Sequence, residues 1–178
     1  MSTAEAKLAE LCGAQIVARE PLAGGDISGA SRIALADGRT VIAKRGPAVA
    51  REARMLAAIR TLGAPAPAVI GQADDWLVLE DVGPSRPFDA RAWEEIPQAL
   101  EPLRSADQDE TYGWPEDYAL RDVTVSNTRT TDWAAFWCDN RLLCHCPDLA
   151  PPLARRVEAL TIKLADIIPA SPPAALVH

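Results

Sequence analysis

Lys44 ends the run Val41-Ile42-Ala43-Lys44, which puts an ammonium in an otherwise apolar strand. Glu52 lies three residues after Val49, four before Leu56 and seven before Ile59, so a carboxylate sits on the packed face of a helix. A carboxylate there needs a cation, because an uncompensated charge in low dielectric is costly. Lys44 is one candidate partner, and Arg51 and Arg54 compete for the role. Upstream, Ala23-Gly24-Gly25-Asp26-Ile27-Ser28-Gly29 interrupts two strand-like runs with three glycines. A lysine held by a carboxylate and facing a glycine-rich turn suits polyphosphate. The glycines let backbone approach closely, and the ammonium meets phosphate charge. Taken singly, Gly24-Gly25 also fits a plain turn, and a strand lysine a solvated one. Farther on, Leu77-Val78-Leu79-Glu80-Asp81-Val82-Gly83 is an apolar strand ending in acids. Backbone around Glu80, Asp81 and Val82 could hydrogen-bond adenine; a buried edge strand with a turn is the plainer alternative.

These groups need a scaffold, and the patterning supplies one. Ala4 to Leu11 is a short helix ended by Gly13. Strands are expected over Gln15–Leu22, Ser31–Ala36, Thr40–Arg45, Ala68–Gln72 and Trp76–Asp81. Asp37-Gly38 between two apolar runs predicts a hairpin with a type I′ turn. Pro47 opens a helix over Ala48–Leu62, stopped by Gly63 and Pro65. After Gly83-Pro84 the pattern becomes helical or irregular, with no convincing strand pair. A helix is expected near Asp89–Arg104, weakened by Pro97 and Pro102, then a long polar loop over Glu110–Thr131. Asp132 caps a helix running through Trp133, Phe136, Trp137, Asn140 and Leu143. Leu153, Val157, Leu160, Leu164 and Ile167 fall on one face of a last helix, ended by Pro169. The expected class is α+β: a small antiparallel five-stranded lobe with its helix over residues 1–83, then a mostly helical part over 84–178.

Composition narrows the partners. Of 178 residues, 48% are hydrophobic and 24% charged, an ordinary globular balance. The net charge of -7, with no basic stripe, argues against nucleic acid and anionic membrane surfaces. No run approaches a membrane span, and the N-terminal residues lack the apolar core of a signal peptide, so a cytoplasmic protein is expected. Cys144-His145-Cys146 has ligating residue types, but its spacing fits no common zinc pattern, so buried thiols are expected instead of a metal. The two histidines, His145 and His178, leave little room for chemistry needing a histidine pair.

The order of glycine loop, hairpin, strand lysine, helix glutamate, two strands and helices is that of a kinase-type nucleotide lobe. More specifically, the chain resembles the fructosamine kinase (ketosamine 3-kinase) family, a branch of the aminoglycoside phosphotransferase-like kinases. The shared N-terminal residues are Ala23 to Ser28, Ile42-Ala43-Lys44, Arg51-Glu52-Ala53 and Leu77-Val78-Leu79-Glu80. The more specific ones are Tyr112-Gly113-Trp114-Pro115-Glu116-Asp117, Asn127-Thr128, Asp132-Trp133-Ala134-Ala135-Phe136 and Arg141-Leu142. Arg104 and Tyr118 depart from the family pattern, and the Lys44 to Glu52 interval is short for it.

The resemblance implies a protein-kinase-like fold. It also implies ATP- and magnesium-dependent phosphorylation of a sugar–amine adduct on its third-carbon hydroxyl, which releases the amine. Gly24, Gly25, Asp26, Ile27 and Ser28 would cover the phosphates, Lys44 would hold them, Glu52 would hold Lys44, and Glu80, Asp81 and Val82 would take adenine. An aminoglycoside or choline kinase would share this lobe; the stretch from Tyr112 to Arg141 argues against it. By the same resemblance, Leu176-Val177-His178 would begin the catalytic loop. The catalytic Asp and the magnesium ligands would then follow His178, and the 178-residue chain is expected to be inactive alone. A truncated, non-catalytic binding module is the alternative. The apolar stripe from Leu153 to Ile167 is expected to be covered by a second copy in a homodimer, by the helix of Trp133 and Phe136, or by further residues.

Overall fold

A computed structural model describes the chain over residues 3–22, 29–84, 87, 89–106, 110–120, 123–169 and 171–176. The loop Ala23 to Ser28 and His178 lie outside the described residues. By its contacts the chain divides into two compact units, Met1–Ser105 and Ala106–His178.

The first unit contains α1 (Thr3–Cys12), β1 (Ile16–Pro21), β2 (Gly29–Leu35), β3 (Thr40–Arg45), α2 (Val49–Thr61), β4 (Val69–Ala73), β5 (Trp76–Glu80) and α3 (Ala90–Ser105). The strands form one antiparallel sheet in the order β1-β2-β3-β5-β4. Strand alternation sorts the side chains. Ile33, Leu35, Val41, Ala43, Trp76 and Val78 pack with Leu8 and Cys12 of α1. Leu77 and Leu79 pack with Val49 and Leu56 of α2, and Ile42 joins them. Helices therefore cover both faces, and β5 is buried on both sides, which explains its unbroken apolar run.

The hairpin at Asp37-Gly38 is present, but its turn differs from the type I′ expected. Gly38 has φ 86°, whereas Asp37 is not in the left-handed region that a type I′ turn needs at both central residues. The Gly38 N–H donates to Leu35 O, and the Leu35 N–H donates to Arg39 O, the pattern of a three-residue loop with a glycine bulge. Arg39 explains the choice: its guanidinium bonds Asp37 at 2.8 Å and the Cys12 carbonyl at 3.1 Å, tying the turn to the end of α1. Helix α3 runs through Pro97 and Pro102 without a break.

In the second unit, β6 (Tyr118–Leu120) and β7 (Val123–Val125) form a three-pair antiparallel ribbon. This corrects the expectation of no strand pair after Gly83: the strands are too short for period-2 alternation to show. Asp132 caps α4 (Trp133–Trp137), accepting from the Ala135 N–H at 2.9 Å. The expected helix through Leu143 does not continue regularly. A π turn spans Cys138–Leu142, and a 3-10 segment spans Leu143–Asp148. Side-chain bonds of Asn140 and Arg141 to the preceding loop accompany the π turn, and Pro147 lies in the 3-10 segment.

Helix α5 (Pro151–Ile167) opens on two prolines, as its first turn permits. Leu164 is buried, but Leu153, Leu160 and Ile167 stay exposed, so α4 does not supply the expected cover. The four cysteines are free thiols; Cys12 is buried as expected, whereas Cys144 is exposed. Among the described residues no helix is long and apolar enough to cross a membrane.

Candidate functional site

The Lys44–Glu52 contact follows from two periodicities. On β3, Val41 and Ala43 face α1, so Ile42 and Lys44 face α2. On α2, Val49, Leu56 and Ile59 are buried against the sheet, and Glu52 occupies the same face. Lys44 Nζ donates to Glu52 Oε1 at 2.5 Å. The side chains are 23% and 24% exposed, so the pair is shielded yet reachable from solvent. Lysine has three N–H donors, and one goes to Glu52. The others suit an anion.

Beyond β5 the acids have different work. Glu80 Oε2 accepts from the Ala68 N–H at 3.0 Å, and the Glu80 N–H donates to Ala68 O at 2.9 Å. The Asp81 side chain is only 7% exposed and takes a two-pronged contact from Arg32, at 2.7 and 3.2 Å. It also accepts from the Gly83 N–H at 3.0 Å. These hydrogen bonds, that of Arg32 foremost, hold its carboxyl below the usual range. Both acidic side chains therefore pin the chain leaving the sheet, and the Glu80 N–H is already used. Val82 is exposed just beyond them. Arg32 was not a sequence candidate; its outward position on a strand resembles any solvated arginine, and its partner is 49 residues away.

The residues from Tyr112 to Arg141 converge on one polar centre in the second unit. Arg141 donates to Asn127 Oδ1 at 2.7 Å, to Asn140 O at 2.9 Å and to Ser126 O. Asn127 donates through its side chain to Glu116 O at 3.0 Å and through its backbone to Asp117 at 2.7 Å. Asn140 is buried and bonds Ser126 and Thr128. The guanidinium lies 4.6 Å from the Phe136 ring, Phe136 stacks on Trp133 at 5.6 Å, and Tyr112 reaches Pro172 O at 2.5 Å. Burial pushes the Arg141 pKa down. These contacts brace the loop internally, whereas the buried Trp114 Nε1 has no hydrogen-bond partner among the described residues. Among the described residues no group of three or more His, Cys, Asp or Glu could hold a metal ion.

A family model described as fructosamine kinase matches residues 1–152. No curated protein sequence matches the chain. Among solved structures, it is similar to a Thermobifida fusca YX-ER1 protein provisionally named a fructosamine-3-kinase. The TM-score is 0.83 at 26% identity, over 99% of this chain and 66% of that one. A Haemophilus somnus 129PT protein with the same provisional name gives a TM-score of 0.74 at 22% identity, over 94% of this chain and 62% of that one. This second likeness shows a shared fold alone. The chain thus spans just under two thirds of the length of these solved structures.

Proposed function

The chain belongs to the fructosamine kinase family, and on that premise we propose that it forms the nucleotide-binding lobe and first helices of a cytoplasmic, ATP-dependent kinase of sugar–amine adducts. The observation that carries the proposal is the 2.5 Å Lys44–Glu52 pair on the inward face of β3 and α2. In this reading residues 1–83 are the nucleotide lobe with its hinge, and 84–178 begin the helical, substrate-side lobe. Lys44 binds phosphate oxygens, and Glu52 fixes its position and charge. The glycine loop Gly24 to Ser28 closes over the phosphates. Backbone of Asp81 and Val82 takes adenine, with Glu80 holding the strand end. The Lys44 ammonium, with donors left over from Glu52, supports this reading. ATP would supply the phosphoryl group, and magnesium would accompany it. The sugar–amine substrate class rests on the family and on the names of its relatives.

Calorimetric titration with ATP, with and without magnesium, tests this proposal. Saturable binding is expected, weakened about tenfold or more by Lys44→Met, since a charge-assisted contact contributes about 1.5–3 kcal/mol and 1.4 kcal/mol is tenfold. Glu52→Gln should weaken binding less. Thermal melts establish that both variants fold. Equal affinity in wild type and Lys44→Met would overturn the assignment.

A further inference from the structure

A second cation–carboxylate pair lies on the same sheet face as Lys44. Ile33 and Leu35 of β2 pack toward α1, so Arg32 points to the other face. Its register partner on β3 is Ile42, which joins the cluster under α2, and Lys44 lies two residues farther along that strand. Strand geometry then places Arg32 and Lys44 about 8 Å apart at Cα. Each cation has its acid: Glu52 holds Lys44, and Asp81 holds Arg32 through both carboxylate oxygens, at 2.7 and 3.2 Å. Asp81 gathers more than Arg32. It accepts from the Gly83 N–H at 3.0 Å and from the Thr40 hydroxyl. Three segments, β2, β3 and the chain leaving β5, are therefore tied at one well-shielded carboxylate. Val82, which is exposed, lies between two anchored neighbours, with Asp81 before it and Gly83 after it.

On the nucleotide-lobe reading above, we propose that Arg32 is a positioning residue for base selection: by clamping Asp81 it fixes the Val82 backbone, so that the chain leaving β5 takes a purine and discriminates against a pyrimidine. The two-pronged geometry is what a clamp requires, because two parallel N–H bonds fix the direction of the carboxylate as well as its distance. With Asp81 so fixed, its bond to the Gly83 N–H sets where the backbone between them lies. A planar base bonded at its edge needs donors and acceptors held within about 0.5 Å. A purine and a pyrimidine differ by one ring in their reach from the ribose, so a fixed backbone meets one and misses the other. A loose backbone adapts to both. Lys44 has a different part. It meets phosphate, which every nucleoside triphosphate carries, so its contribution cancels when two bases are compared.

Competition titrations of the 178-residue chain with ATP and with UTP test the proposal. Wild type should bind ATP more tightly than UTP. Arg32→Met should lower ATP affinity about fivefold, the scale of one hydrogen bond, and leave UTP affinity nearly unchanged, so that the ratio collapses. Lys44→Met should lower both alike and preserve the ratio. Arg32→Lys keeps the charge but loses the two-pronged contact, and should fall between wild type and Arg32→Met. A ratio that Arg32→Met leaves intact, or a wild type indifferent to the base, overturns the role of Arg32 while the nucleotide lobe stands. Binding of neither nucleotide removes the lobe reading, and the role of Arg32 with it. If thermal melts show Arg32→Met unfolded, Arg32→Lys decides: a lowered ATP-to-UTP ratio supports the clamp, and a wild-type ratio overturns it.

Discussion

The two units solve the same problem with different means. In the first, a regular sheet satisfies its own backbone, and apolar side chains on both faces do the packing. Leu77 and Val78 on β5 have no exposed surface at all. Its partly shielded ion pairs lie at the rim of that core, as Lys44–Glu52 and Arg32–Asp81. In the second, strands are three residues long, α4 is a turn and a half, and the chain then runs through π and 3-10 geometry. Irregular backbone leaves carbonyls without ladder partners, and side chains must satisfy them. Asn127, Asn140 and Arg141 bond the carbonyls of Glu116, Thr128, Asn140 and Ser126. Apolar volume governs the first unit, and named polar groups govern the second.

That contrast is open to direct attack. The largest effect should come from Leu77→Ala, which leaves a cavity between α2 and the sheet and costs about 2–5 kcal/mol. Hydrogen exchange should show the loss in β3, β5 and α2, with the loop from Tyr112 to Asn140 little changed. Arg141→Met keeps most of the apolar stem over Phe136 but leaves Asn127 Oδ1 and Ser126 O without this donor, at about 1–3 kcal/mol. Its exchange pattern should be the reverse, concentrated in the second unit. If Leu77→Ala and Arg141→Met loosen the same segments, the two units form one cooperative body and the contrast fails. Gly113→Ala probes the second unit through backbone alone. Gly113 has φ 111°, and a methyl there would lie 2.6 Å from Asn127 O. Strain of this kind costs about 1–3 kcal/mol. A lowered melting temperature with Asn127 exchange increased is expected; an unchanged one would show that the loop shifts freely.

What the sequence discloses divides along the same line. Five strands, α1 and α2 are visible because regular elements repeat, and alternation plus helix period make Lys44 one candidate partner of Glu52 beside Arg51 and Arg54; the structure supplies the contact. The turn at Asp37 escapes, because Arg39 decides it through a contact with α1 that no local pattern contains. The pairing of Asp81 with Arg32 escapes for the same reason. In the second unit β6 and β7 are too short to show a period, and the Asn127–Arg141 network is visible only as motif residues without their connections. The stripe on α5 is plain from its spacing, but periodicity says which face is apolar and nothing about what covers it.

The smallest expected effect concerns acid. Asp81 sits at the boundary between apolar sheet and connecting chain, where a polar group works inside the apolar unit. Its carboxyl titrates below its ordinary value because Arg32, then the Gly83 N–H and Thr40, bond the ionised form. A carboxylate with a depressed folded pKa adds stability that is present above the unfolded value, about 3.9, and is lost as pH falls through the folded value. The urea midpoint should therefore hold steady near neutrality and fall in acid, below about pH 4. Asp81→Asn retains the shape and can still accept from Gly83, but it cannot be ionised. It should be less stable than wild type near neutral pH, and the difference should shrink as acid protonates Asp81 in the wild type. A difference that stays constant across that range would mean that shape, and not charge, is what Asp81 contributes. The apolar unit would then have no use for the charge at its edge, and the contrast with the second unit would be sharper than drawn above.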